Sequence, residues 1–196
     1  MSYVLKPLSC DPAKLTGLSE KLIVSHYENN YGGAVKRLNT ITEQLAGLDF
    51  SKAPVFAING LKREELIAAN SMILHEVYFD SLGGSGGEPD GALRSLVARD
   101  FGGVAAWHTQ FAAMGKALGG GSGWVLLTYS HRDRKLINQW AADHTHALAG
   151  AAPVLALDMY EHSYHMDYGA KAAAYVDAFM QNINWESAGR RVPKDA

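Results

Sequence analysis

Apolar residues recur in steps of three and four through "KLTGLSEKLIVSHYENNYGGAVKRLNTITEQLAGL", at Leu18, Leu22 and Ile23 and again at Val35, Leu38, Ile41 and Leu45. That spacing lines one face of a helix. Gly32-Gly33 is where the helix is expected to bend and Gly47 where it stops. A second helix is predicted over "KREELIAANSMILHEVYFDSL", ending at Gly83-Gly84. The stretch "GGSGGEPDG" has no apolar period and reads as a loop and as the hinge between two halves. Helical patches return in "ALRSLVARDF" and "VAAWHTQFAAMGKAL". After "GGGSG" the period shortens to that of strands, in "WVLLTY", "KLINQWA" and "APVLALD". A last helix, "AAAYVDAFMQNI", closes the chain. The pattern predicts an α+β protein with a helical N-terminal domain, 1–86, and an α/β C-terminal domain with a small sheet, 87–196.

Composition narrows the function more than the fold. A chain of 196 residues is long enough to bury a sizeable core. A formal net charge of −2 offers no basic footprint for nucleic acid and no attraction to an anionic membrane. The single cysteine, Cys10, cannot form an internal disulfide and fits a reducing compartment. "MSYVLKPLSCDP" lacks the basic and apolar regions of a signal peptide, and no apolar run reaches membrane-spanning length. A cytoplasmic protein is expected.

The chemistry sits in the histidines and one aspartate. Of eight histidines, His26 lies mid-way along the first predicted helix and His75 within the second, each beside apolar positions. An unpaired imidazole there would cost free energy. "DMYEHSYH" ends a buried strand on Asp158 and places His162 four residues later. The bland reading is a strand leaving the core into a polar turn. The sharper one is a metal site, since two inward histidines on neighbouring helices can meet Asp158 and His162 at one point. Three nitrogens and one carboxylate oxygen suit iron, manganese or zinc and are too nitrogen-rich for calcium or magnesium.

At these residues the chain resembles the iron/manganese superoxide dismutase family over nearly its whole length. "SHYENNYGGAV" is similar to the family's first-ligand helix and "LHEVYF" to its second. "GEPDGAL", "DFGG", "GSGWVLL", "DMYEHSYH" and "NINWE" resemble further landmarks in the family's order. The resemblance implies a helical hairpin followed by an α/β domain with a small antiparallel three-stranded sheet flanked by helices. It implies one iron or manganese ion per subunit, iron favoured, held by His26, His75, Asp158 and His162. The substrate would be superoxide, dismuted to dioxygen and peroxide; zinc, having no redox couple, could not do this.

The family also uses a side chain that hydrogen-bonds the solvent on the metal. Iron-type members often bring a glutamine from the second helix, where Ser71 stands here. The alternative position, after the second strand, is filled by His144 in "AADHTH", with Gln139 as the competing candidate. Trp124 resembles the aromatic wall of the site. Glu161 resembles the glutamate that reaches a partner subunit's ligand histidine, which implies a homodimer or a tetramer built from it.

Several positions depart from the family's pattern. Its funnel histidine and tyrosine are Asn30 and Ala34, and the tryptophan and last tyrosine of its D-x-W-E-H-A-Y-Y signature are Tyr160 and His165. Asn30 and His165 have changed together, and each can donate and accept, so the pair could keep a bond across a dimer interface. Tyr27 and Tyr31 lie at other angles on the helix and are poor substitutes for the missing hydroxyl. The basic funnel residue of the last helix has no clean match, Lys171 being adjacent in register. Two readings of different class therefore stand: an active dismutase with an altered funnel, or a metal-binding homologue with little or no activity. A zinc hydrolase on the same four residues is a third, but it would need a poised base, which Asn30 is not.

Overall fold

A computed structural model describes residues 2–193. The first long helix is continuous but not uniform. It runs as α1, Glu20–Ser25, a π-helical stretch, His26–Tyr31, and α2, Gly32–Ala46. Ser19 caps it, its hydroxyl accepting from Leu22 N–H at 3.1 Å. The helix thus begins six residues after Lys14, because residues 12–14 form a separate 3₁₀ turn. No break occurs at Gly32-Gly33, since Gly32 is α-helical at φ −60° and ψ −37°. The irregularity lies one turn earlier, where a π-bulge rotates the side chains that follow. Gly47 does end the helix.

Helix α3, Val55–Asp80, starts seven residues before the predicted Lys62. Pro54 precedes it, and its fixed φ suits a helix entry. α2 and α3 pack together as a hairpin, and α3 also packs on the sheet. The 83–91 loop is stitched down: Gly84 and Gly86 N–H donate to the carbonyls of Asn182 and Ile183 at 3.1 and 3.2 Å. A Cβ at Gly84 would sit 2.1 Å from Ile183 O, so only glycine allows this approach.

Helices α4, Gly91–Phe101, and α5, Val104–Ala117, lead to strands β1, Trp124–Ser130, β2, Lys135–Ala141, and β3, Ala151–Asp158. The sheet is antiparallel in the order β2-β1-β3. Central β1 is buried at every position, which explains its unbroken apolar run. Pro153 is tolerated because β3 is an edge strand, and the register shifts beside it. The register also sets up the site. Trp124 pairs with Asp158 on one side and Ala141 on the other, so one end of the sheet gathers all three.

A 3₁₀ turn, Glu161–Ser163, and helices α6, His165–Tyr168, α7, Ala172–Gln181, and α8, Trp185–Gly189, complete the chain. The helix over 172–181 is therefore not the last. Asn184 caps α8 by accepting from Ser187 N–H at 3.0 Å. One hydrophobic core joins the hairpin, through Leu22, Ile23, Tyr78 and Phe79, to the sheet and to Trp107, Phe111, Val176 and Phe179.

Candidate metal centre

His26 opens the π-helical stretch, His75 projects from α3, Asp158 ends β3 and His162 lies in the following 3₁₀ turn. One ligand atom from each lies within 4.8 Å of the others. Asp158 Oδ2 is the hub, 3.1 Å from His162 Nε2, 3.2 Å from His26 Nε2 and 3.6 Å from His75 Nε2. The other oxygen, Oδ1, accepts the Tyr160 backbone N–H at 2.8 Å, which fixes the carboxylate's rotation. His75 Nδ1 lies 2.6 Å from Ser71 O. A carbonyl only accepts, so the proton sits on Nδ1 and Nε2 presents a lone pair to the cluster.

Burial shapes the charges. It pushes His75 down to about 3, and His26 adds to the effect. Burial lowers His26 as well. For Asp158 burial works upward, but His162, which hydrogen-bonds it, and His26 close beside it hold it well below the usual carboxylate range. The result is a buried carboxylate facing two buried imidazoles, His26 and His75, that burial holds neutral. Both ring nitrogens of His26 and Nε2 of His75 lack a hydrogen-bond partner. His26 Nε2 is close to Asp158 but is not aligned to bond it. Each orphaned buried nitrogen costs about 1–3 kcal/mol and an uncompensated buried charge more. A cation bound at the cluster would satisfy His26 Nε2 and His75 Nε2 together with the Asp158 carboxylate. The donor set therefore fits one ion of iron, manganese or zinc.

Around this cluster stands an aromatic wall. The Trp124 ring lies 5.2 Å from His75, edge on. Its Nε1–H donates to His144 Nδ1 at 3.0 Å. Because an indole N–H only donates, neutral His144 must carry its proton on Nε2. His144 lies 6.1 Å from the His75 ring and stacks on Tyr160 at 4.9 Å. Asn70 holds its backbone, donating to His144 O at 2.6 Å. Tyr160 also stacks on His162, so it fills the wall as a flat ring. Gln139 is engaged elsewhere: its carboxamide accepts from Leu148 N–H at 3.1 Å and donates to His146 O at 3.3 Å. Between the two candidates, His144 is the one beside the cluster.

A cleft of about 330 Å³ leads inward to Ala34, Ser71 and His144, with Asn30 on its side. Ala34 supplies no hydroxyl there. Neither nearby tyrosine replaces it. Tyr27 OH donates to Lys6 O at 2.7 Å, and Tyr31 OH accepts Lys6 N–H at 3.0 Å and donates to Glu76 Oε1 at 3.1 Å. Lys171, exposed at the start of α7, lines none of this cleft. The basic residue at its edge is Arg37, which the sequence reading missed. Its signal was the spacing Asn30, Ala34, Arg37, in steps of four and three on one helix face. Glu161 and His165 are both exposed. Among the described residues, no hydrogen bond joins Asn30 to His165 within the chain. The 330 Å³ cleft meets the cluster through Ser71, whose hydroxyl lies 3.4 Å from His75 Nδ1, whereas a larger cleft, about 760 Å³ between the 85–88 loop, α5 and α7, is lined by neither the cluster nor its wall.

An α+β fold holding three imidazoles and a carboxylate against an aromatic wall defines a mononuclear transition-metal protein. Residues 89–191 match the family of iron/manganese superoxide dismutases, C-terminal domain. An iron superoxide dismutase of Cupriavidus metallidurans is 76% identical over 191 residues, 97% of this chain and 96% of the relative. An iron superoxide dismutase of Aquifex aeolicus is 35% identical over 190 residues, 93% of this chain and 88% of the relative. Superoxide dismutase [Mn] 2 of Haloferax volcanii is 35% identical over 195 residues, 97% and 96% of the two chains. The chain belongs to the iron/manganese superoxide dismutase family.

Proposed function

We propose that the protein is a superoxide dismutase that uses one iron ion per subunit, held by His26, His75, Asp158 and His162. The observation that carries the reading is the cluster of four ligand atoms within 4.8 Å, in which His26 Nε2 and His75 Nε2 are orphaned. The relative at 76% identity, named for iron and for this activity, favours an active enzyme over an inert homologue. It also favours iron over manganese.

When bound, the ion supplies a one-electron couple between its +3 and +2 states, through which two superoxides and two protons give one dioxygen and one hydrogen peroxide. The chain's own residues do the rest. Asp158 contributes the negative charge of the ligand set, and the three imidazoles are neutral donors. Trp124 fixes His144 as the Nε2–H tautomer, so His144 offers a donor at a defined atom beside the cluster. Ser71 and Asn30, which line the same cleft as His144, add hydrogen-bonding groups along the path from solvent. The Trp124 and Tyr160 rings limit the water around the site and so strengthen its hydrogen bonds.

Assembly and location belong to the same reading. His162 Nε2 faces Asp158, and its side chain keeps 27% exposure, leaving the other ring nitrogen toward the surface. Among the described residues, the exposed Glu161 carboxylate has no intrachain hydrogen bond or ion pair. A twofold pairing that brings each Glu161 to the partner's outward nitrogen would complete both. Glu161→Gln should then weaken dimerisation and speed metal loss; an unchanged dimer with unchanged metal retention would remove the bridge. The division at 86/87 is supported by the family match, which starts at residue 89. No described helix is long and apolar enough to cross a membrane, and the lone Cys10 fits the cytoplasm.

The test of the activity is metal analysis of the purified protein paired with a superoxide consumption assay. Stoichiometric iron or manganese with turnover is expected. Stoichiometric zinc with hydrolytic activity would overturn the reading.

A further inference from the structure

Superoxide is a monoanion, so its approach is governed by the charges along its path. The cleft that reaches Ser71 and His144 has one permanently charged side chain among its described lining residues, Arg37. Arg37 comes from α2, three residues past Ala34, and the short alanine leaves the space between it and the cleft floor open. Across the cleft edge Arg37 pairs with Glu64 of α3, seven residues before Ser71. Their side chains are 57% and 31% exposed. An exposed pair of this kind adds little stability, about 0–1 kcal/mol, so stability does not account for it. Position does: the pair spans the two helices that carry His26 and His75.

We propose that Arg37 is the residue that draws the anionic substrate into the cleft, and that Glu64 tempers and orients it. The inference rests on the dismutase reading for its substrate, but its geometry concerns any small anion entering the cleft. Arg37 carries the attractive charge, and Glu64 cancels part of it while holding the guanidinium against the opening. Removing either member must therefore act with opposite sign. No other charged side chain on the described lining can take over this role.

The test uses the iron-loaded protein and two independent readouts: kcat/KM for superoxide against ionic strength, and the dissociation constant of azide followed in the visible spectrum. Arg37→Gln is expected to lower kcat/KM about 3–10-fold at low salt, at the lower end of what charged clefts contribute, and to flatten its salt dependence. Its azide affinity should weaken in step. Arg37→Lys should restore most of both, because the charge matters more than the fork of donors. Glu64→Gln should raise kcat/KM and azide affinity about 2-fold. Lys36→Gln makes the same change in net charge on the exposed neighbouring residue, outside the cleft lining, and should match wild type. If Arg37→Gln and Lys36→Gln coincide in both readouts, or if Glu64→Gln moves them in the same direction as Arg37→Gln, the inference is overturned. A wild-type protein inert toward superoxide would refute the activity, and the azide series would still decide the role of Arg37.

Discussion

The four-residue cluster and the cleft that leads to it sit within a few ångströms of each other and are built by different rules. His26, His75 and Asp158 are 1%, 1% and 0% exposed, each fixed by a long helix or a strand end packed in the core. Asn30 and His144 are half-buried, Arg37 is exposed, and the floor carries the small side chains of Ala34 and Ser71. A ligand set tolerates little displacement, because orphaned nitrogens and a buried carboxylate are costly unless all meet one cation. A cleft has to admit a diatomic anion, offer proton donors and carry the right charge, and several side-chain sets satisfy that. Holding the metal and controlling what reaches it are thus separable tasks. The chain keeps the four residues that the resemblance implies as ligands and departs from it at positions 30, 34, 160 and 165.

The most severe way to break this contrast is to attack the cluster. His75→Ala or Asp158→Ala should abolish stoichiometric iron or manganese binding, read by elemental analysis, and activity with it. The fold should survive, because the core that joins hairpin and sheet does not depend on the ion as a zinc finger does. Circular dichroism and a cooperative thermal transition in the apo variants check that half. Full metal occupancy and full activity in either variant would show that the cluster is not the site.

How much of this was legible beforehand follows the same division. Strands and most helices were readable because β1 is an unbroken apolar run of strand length and α4 has an apolar period ended by Gly102. The start of α3 was missed because Val55 and Phe56 are 82% and 77% exposed, so its first turns have no buried face to give a period. The π-stretch at His26–Tyr31 leaves no compositional trace, since it arises from packing against α3 and the N-terminal segment. The ligands could be named from a short, ordered set of landmarks. Arg37 could not, because the reading looked for a cation on the last helix, whereas the one on the cleft lining comes from α2, in the later part of the first long helix.

The next test separates the wall from the ligands. His144→Ala should keep the metal, since the four ligands remain, and lose about 10–100-fold in activity, the usual cost of removing a partner just outside the ligand set. His131→Ala, at the far end of β1, is the control expected to match wild type. Trp124→Phe should act in the same direction but more weakly. It leaves the His144 ring in place and frees Nδ1, so the Nε2–H tautomer is no longer enforced. Nitrogen NMR of the zinc-loaded protein, which is diamagnetic, should show that tautomer in wild type and a mixture in Trp124→Phe. If His144→Ala and His131→Ala are indistinguishable in activity, the donor role passes from His144 and the wall is only packing.

The smallest expected effect falls on Tyr31, which stacks beside the cluster but lies outside the cleft lining. Its ring stacks 6.5 Å from His75, yet its hydroxyl points away from the cleft, to Lys6 N–H and Glu76. Lys6 adds an ammonium contact to the same carboxylate. Tyr27, one turn earlier, donates to the Lys6 carbonyl, so two tyrosines grip the backbone of one residue of the N-terminal segment on either side of its Cα. Burial pushes the Tyr31 hydroxyl up to about 12, so at neutral pH it stays protonated and able to donate. Tyr31→Phe removes these bonds and leaves the ring. At about 0.5–1.5 kcal/mol for each hydrogen bond lost, a chain of this size should melt about 2–6 °C lower. Metal content and kcat should hold, because the ring still packs beside His75. A drop in kcat larger than the loss of stability would mean that Tyr31 reaches the chemistry after all. The cluster and the approach would then share a residue, and their separation would be incomplete at that point.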